Sequence, residues 1–424
     1  MNERIIKGLK SKDEARFEDA LSSLSGAGAE AWDAVLAGVT WARSKYEDRG
    51  EPGELSFGAP LKPRGASAER TRARILRLLH LAPADADVVA RVRDRATSLL
   101  VRSTELPIDL AWLSNWPSLR QVDVRGGASV HGAAAGLEKL RVERLLTQEA
   151  QLAAMKSLEL LAVSRVEPDL SVTRVAPSLR ELRVMAAEAD ALSGVEAATA
   201  PSLWLRGRFP ERLRIHQAVE DLHVLDCRGL RSLVLPDGAA MRRIRQWYAS
   251  EPTALSAGEL PALRELHLTP FDHEDLTPLA GATALTVLRV GGAKLRSLSG
   301  LPRLEQLEEL SVADANIAWD ALAEARSLHT FSAGTSNWWD AVPILESLPD
   351  LRTVRLDGAN VEDTHALRNL HQVTNLSMVG CTGFLQVDWL GHLSSLETLD
   401  LSRTGMTRRD LPSSFRARGV RVTL

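Results

Sequence analysis

The chain has 424 residues, 45% hydrophobic and 25% charged, with a formal net charge of −3 at pH 7. That length exceeds one ordinary compact core, so two domains or one elongated array are expected, and the near-balanced charge does not single out nucleic acid or membrane as partner. The opening residues carry charge every few positions, unlike a secretory signal, no stretch reaches the roughly 18 uninterrupted apolar residues of a membrane span, and two cysteines, Cys227 and Cys381, are too few for a disulfide framework. A cytoplasmic protein with reduced, buried thiols is the expectation.

In chain order, Phe17, Leu21 and Leu24, then Trp32, Val35, Leu36 and Val39, recur at helical spacing, and residues 69–81 form another helical run. Residues 48–67 are rich in Gly and Pro and read as loop. Residues 1–95 are therefore expected to be a small helical N-terminal cap over the first strand of the next region. A second reading puts Leu76 and Leu78 on an extra strand, 23 residues before Leu99 and Val101. Basic charge concentrates in residues 62–95, at Lys62, Arg64, Arg70, Arg72, Arg74, Arg77, Arg91, Arg93 and Arg95. A solvated helix face is the plain reading of these residues; a regulator touching nucleic acid or an anionic surface is the alternative.

From Ala96 onward a phrase L-x-x-L-x-[LV] returns about every 21 to 24 residues, as in LRELRV at Leu179, LRELHL at Leu263, LEELSV at Leu307 and LETLDL at Leu396. Its first position steps by 22 four times between Val219 and Leu307. Apolar residues at positions one, four and six with polar ones between them describe a short strand with one buried face. One such strand cannot hide that face alone; parallel stacking at roughly 4.8 Å buries it against its neighbours. The segments Trp319 to Arg326, Trp339 to Ser347 and Glu362 to Leu370 carry helical spacing between strands. Cys227 to Gly238 contains a second phrase at Leu230, Leu233 and Leu235, read as a strand on the opposite side because that preserves the steps of 22.

On these residues the chain resembles the leucine-rich repeat family, of ribonuclease-inhibitor or internalin type with irregular repeats, over residues 96–424. The resemblance implies an α/β solenoid: a horseshoe of about fifteen repeats with a parallel concave sheet and mixed helices and turns on the convex side. It also implies a protein-binding role. The family's asparagine at the ninth repeat position is absent: Ala187, Cys227, Ala293, Ala315, Ala359, Cys381 and Thr404 stand there. Turn backbone groups must then find other partners.

No catalytic or cofactor motif is present: no phosphate loop, no G-x-S-x-G, no H-E-x-x-H and no C-x-x-C. The chain is therefore read as non-enzymatic, with no cofactor and no metal. His267 with the run Phe271 to Asp275 does not force ligands to converge, and an acidic helix start is the plainer reading. The fifth strand position, which points out of the concave sheet, carries Arg183, Trp204, His223, Arg245, His267 and Arg289 in succession. Side by side these form an interrupted basic stripe, with Trp247 and Tyr248 as aromatic anchors. The partner-binding residues expected are Arg183, His223, Arg245, Trp247, Tyr248, His267 and Arg289. Their charge points to another protein with an acidic surface, and nucleic acid is not expected. Pairing of these arginines with Glu181, Glu265 and Glu308 is the competing reading. Of Trp338 and Trp339, one ring is expected in the core; the other is either an exposed rim anchor or, on the plainer reading, buried with it.

Overall fold

The computed structural model describes residues 2–11, 13–42, 52–57, 68–131, 136–237, 239–247, 251–256, 259–313, 316–334, 338–360, 365–383 and 387–424, with backbone alone at 2, 54–57, 68–73, 102–107 and 365. The chain forms two compact units, Met1–Trp204 and Leu205–Leu424.

The first unit opens with α1 (Asn2–Leu9), α2 (Glu14–Ser25) and α3 (Ala29–Leu36). Asp13 caps α2 by accepting from the Ala15 N–H at 2.9 Å, and the helical stripe Phe17, Ala20, Leu21 and Leu24 is buried, as its spacing requires. Trp32, Val35 and Leu36 of α3 are buried as well. Val39 begins a strand instead, β1 (Val39–Ala42), which pairs antiparallel with β2 (Glu54–Phe57). Part of the stretch expected to be loop is thus strand. Gly53 explains the misreading. Its N–H donates to Ser98 Oγ and its carbonyl accepts from the Leu100 N–H, both at 2.8 Å, and a Cβ there would stand 2.6 Å from the Trp41 indole nitrogen. The glycine serves close packing rather than a turn.

Residues Ala68–Leu81 form α4, with Ile75, Leu76, Leu78 and Leu79 all buried, so the extra strand at Leu76 and Leu78 is replaced by a helix. The array starts at β3 (Ser98–Asp109), and β2 lies parallel beside it, with Glu54 opposite Leu100. The residues before β3 therefore form helices and also an antiparallel strand pair, of which β2 adds to the sheet beside β3. Strands β4 (Gln121–Ser129), β5 (Lys139–Leu146), β6 (Leu160–Glu167) and β7 (Glu181–Ala186) follow in parallel register, and β8 (Ser202–Arg208) contains the boundary between the units.

The second unit holds β9 (Arg212–Arg214), β10 (Asp221–Arg228), β11 (Ser232–Val234), β12 (Arg243–Trp247), β13 (Ala254–Ser256), β14 (Glu265–Leu268), β15 (Val287–Gly291) and β16 (Glu309–Ala313). Then come β17 (Thr330–Gly334), β18 (Thr353–Arg355), β19 (Asn375–Ser377), β20 (Thr398–Asp400) and β21 (Arg421–Thr423). The series β10, β12 and β14 to β21 is parallel throughout. Strands β9, β11 and β13 form a separate small parallel sheet, so the Leu230 phrase is a strand outside the main series, as expected from the steps of 22.

Each strand of the main series begins two residues after the first position of its phrase, from Ala96 and Ser98 to Leu396 and Thr398. The fourth positions form an unbroken internal row: Leu222, Ile244, Leu266, Leu288, Leu310, Phe331 and Val354 are all 0% exposed in the second unit. Burying each contributes roughly 1.5–3 kcal/mol. Each unit thus contains a parallel solenoid series built on the repeated phrase, preceded in the first by α1 to α4. The inter-strand segments expected as helices are mostly single 3₁₀ turns, Asp320–Glu324 and His365–Asn369, with a short α-helix only at Val342–Glu346. Repeats of this length leave too few residues for three α-turns, and buried Leu322, Leu345 and Leu367 anchor one turn each.

Replacing Phe331 by Ala is expected to lower unfolding free energy by about 3–5 kcal/mol, because the cavity opens between its buried row neighbours Leu310 and Val354. Denaturant titration checks this; a loss below about 1 kcal/mol contradicts the packed row.

Candidate partner-binding face

Along β12, burial alternates: Ile244 and Gln246 point inward, while Arg243, Arg245 and Trp247 point to the sheet's open face. Register places His223, Arg245, His267 and Arg289 directly opposite one another on β10, β12, β14 and β15. The structure therefore brings together five of the expected residues in the second unit: His223, Arg245, Trp247, His267 and Arg289. Arg183 lies on β7 in the first unit, its guanidinium 5.2 Å from the Trp204 ring and its Nε 2.5 Å from Glu181 Oε1. Tyr248 lies outside the described residues.

Trp247 is the centre of the second unit's group. Its half-buried ring lies 6.0 Å from the His223 ring and 6.4 Å from that of His267, edge-on to the latter. This cover leaves His223 only 5% and His267 only 8% exposed. The stripe is not freely basic. Arg245 makes a two-pronged bond to Glu265, at 2.8 and 2.5 Å, and Arg243 makes one to Asp221, at 2.6 and 2.5 Å. Arg289 donates to Glu309 at 2.8 Å, so Glu309 and not Glu308 is its partner. Three arginines meet three carboxylates, and the excess of positive charge behind the expected acidic partner is cancelled. The signal was present in the sequence: an acid stands at the third strand position of β10, β14 and β16, beside the arginines once the register is drawn.

Burial raises the Glu265 pKa, but the hydrogen bond and charge of Arg245, with His267 and Arg243, outweigh it and hold the carboxyl below its ordinary value. His267 Nε2 stands 2.9 Å from Glu265 Oε1 but without hydrogen-bond alignment, so that contact is electrostatic only. Burial, and then the charges of Arg289 and Arg245, push the His267 pKa below its ordinary value against the pull of Glu265 and Glu309. His267 is neutral at pH 7.

Beneath this face Gln246 takes over part of the missing asparagine's work. Its Nε2 donates to Thr253 Oγ1 at 2.9 Å and to Cys227 Sγ at 3.1 Å, and Thr253 Oγ1 donates to the Leu230 carbonyl at 3.3 Å. Two other ninth-position residues bond turn carbonyls themselves. Cys381 Sγ donates to the Leu356 carbonyl at 2.9 Å, and Thr404 Oγ1 to that of Leu401 at 2.6 Å. Burial raises the Cys227 pKa and pushes that of Cys381 up to about 11, which keeps both thiols protonated and poor nucleophiles.

The other sequence candidates disperse. Around Phe271, Asp272 pairs with Lys294 at 2.5 Å, His273 Nε2 accepts from the Leu255 N–H at 2.8 Å, and Asp275 accepts from the Thr277 N–H at 2.9 Å at a 3₁₀ start. Among the described residues no three His, Cys, Asp or Glu converge as metal ligands. Trp338 is buried and Trp339 half-buried against it, ring centroids 3.5 Å apart. In the 62–95 segment Arg74 is not solvated but only 6% exposed, joined to Glu14, to the Ser11 carbonyl at 2.5 Å and to the Phe17 ring at 4.1 Å. Arg77 pairs with Glu18 at 2.5 Å, and Arg93 is buried too. Helix α2 presents Glu14 and Glu18 one turn apart, opposite Arg74 and Arg77, so these charges join α2 to α4. Lys62 and Arg64 lie outside the described residues, as do the side chains of Arg70 and Arg72. No described helix is long and apolar enough to cross a membrane.

No family model matches the chain, and no curated protein does. Among solved structures, a leucine-rich repeat protein of Leptospira interrogans aligns at 12% identity over 78% of this chain and 84% of that one, with a TM-score of 0.46. An internalin of Listeria monocytogenes aligns at 16% identity over 78% of this chain and 94% of that one, with a TM-score of 0.42. The solenoid assignment itself stands on the chain's own phrase and strand register.

His267 has a depressed folded pKa, so the unfolded chain binds more protons below about pH 6.5 and the associated stability, full above that pH, is lost as pH falls through the folded value. The denaturant midpoint of the wild type is expected to fall more between pH 7.5 and 5.5 than that of His267→Asn. Equal falls in the two proteins contradict a buried neutral imidazole.

Proposed function

We propose that this leucine-rich repeat protein is a non-enzymatic scaffold that binds another protein through the open face of its second unit. The reading rests on one observation: a half-exposed indole, Trp247, flanked by two covered imidazoles and ringed by arginine–carboxylate pairs. Binding hot spots have this composition, an aromatic or arginine anchor surrounded by contacts that exclude water and add little energy themselves. Because the surrounding charges are already paired, the partner surface that fits is of mixed charge with an apolar recess for the indole. It need not be acidic. The protonated thiols of Cys227 and Cys381, buried and unpaired, favour a reducing, cytoplasmic setting.

Trp247→Ala is expected to weaken partner binding at least about 30-fold, the roughly 2 kcal/mol of a hot spot. Affinity capture from native extract, wild type beside variant, tests it, with thermal melting as the control for folding. Retention of the same partner by a folded Trp247→Ala protein rejects the reading.

A further inference from the structure

The last repeat carries a charge that the rest of the chain lacks. Residues 401–424 contain six arginines and one acid, Asp410, a formal +5. The chain's total of −3 less this +5 leaves −8 for residues 1–400. The total charge, which singles out no partner, averages over this asymmetry.

The fate of each charged group can be followed. Arg418 is used internally, its Nη2 donating to the Leu393 carbonyl and, at 2.9 Å, to that of Ser394. Asp410 is used as well. Its Oδ2 accepts from the Thr407 N–H at 2.8 Å and the Thr407 hydroxyl at 2.7 Å, bonds that hold its pKa below the ordinary value. That contact closes the turn whose tip is Arg408 and Arg409. Arg403, Arg408, Arg409, Arg416 and Arg421 are all exposed, and none has an ion-pair partner among the described residues. Arg416 stands on the short helix Ser414–Arg418, and Arg421 opens β21 opposite Thr398. On or beside β20 stand exposed Glu397 and half-buried Asp400, the latter accepting from the Ser402 N–H and hydroxyl; including both leaves +3 over residues 397–424. The arginines on the second unit's face at β12 and β15 are, by contrast, each neutralised by a neighbouring strand.

We propose that this end of the second unit binds the phosphate backbone of a nucleic acid through Arg408, Arg409, Arg416 and Arg421, without regard to base sequence. Guanidinium forks match phosphate oxygens in pairs, and the segment contains no lysine. A protein partner would need a buried apolar or aromatic anchor, and a membrane would be held better with aromatic side chains to insert. The only large apolar side chain exposed in this segment is Leu424, and its one aromatic, Phe415, is buried. Phosphate binding requires no such anchor, and the absence of stacking rings removes base readout. The −8 over the remaining chain repels phosphates and orients a nucleic acid toward this end.

The test is fluorescence anisotropy of a labelled 20-base-pair DNA duplex of mixed sequence against the full chain. With four phosphate contacts, binding at 50 mM salt is expected to weaken roughly 100-fold at 200 mM, and to be the same for a scrambled duplex. The triple variant Arg408→Glu, Arg409→Glu, Arg416→Glu should abolish it with unchanged melting, while Arg212→Glu, Arg214→Glu, exposed arginines elsewhere in the unit, should change it less than threefold. No binding at 50 mM salt overturns the proposal, as does binding that survives the triple variant. Tighter binding to poly-glutamate, or to phosphatidylserine vesicles at equal charge concentration, overturns it in favour of an acidic protein or a lipid surface.

Discussion

Everything in this protein depends on the fourth-position row, in which each aliphatic or aromatic side chain is covered by the one before and the one after it. No repeat closes a core by itself: a strand of three to twelve residues has one apolar face and no second layer of its own. Parallel register then follows from the energetics, because a slip of one residue would turn Leu266, Leu288 and Leu310 to water and bring Glu265, Arg289 and Glu309 inside. That penalty, several kcal/mol per strand, greatly exceeds anything the surface charges contribute.

Fixing the row also fixes the open face. Residues at the third, fifth and seventh strand positions are delivered to it at a regular lateral spacing, so a charge on one strand meets whatever its neighbour carries. In the second unit the result is a neutral band of paired arginines and carboxylates around Trp247. The carboxylates are half-buried, Arg245 with them while Arg243 and Arg289 are exposed, and each charge has a near neighbour of opposite sign, which makes the pairs better at setting orientation than at attracting a charged partner from a distance. The unpaired arginines of residues 401–424 have the opposite character: exposed, uncompensated and without an apolar centre. Two surfaces with different physics thus sit within one unit.

Much of this was legible in the sequence, for a physical reason. The alternation of buried and exposed residues within the phrase located each strand of the series, and the steps of 22 between Val219 and Leu307 fixed the place of the Leu230 strand outside it. Other features were not visible. Gly53 reads as a turn signal when it is a packing contact beside Trp41, so β2 was hidden. The convex segments show helical spacing over too few residues to distinguish a 3₁₀ turn from an α-helix. Arg74 and Arg77 look like a solvated face until α2 is placed opposite them. The cancellation of the stripe at Arg245 and Arg289 needed the register before the acids at positions 265 and 309 became neighbours, and the covering of His223 and His267 by Trp247 needed the side chains themselves.

The most direct measurement of the central claim is native-state amide hydrogen exchange of wild type and Leu288→Ala. If the row is stabilised by neighbours, protection should fall in β15 and, by a smaller but clear margin, in β14 and β16, then recover along the series on either side. Loss confined to β15, with β14 and β16 as protected as in the wild type, would mean that the strands hold separate cores and would contradict the account.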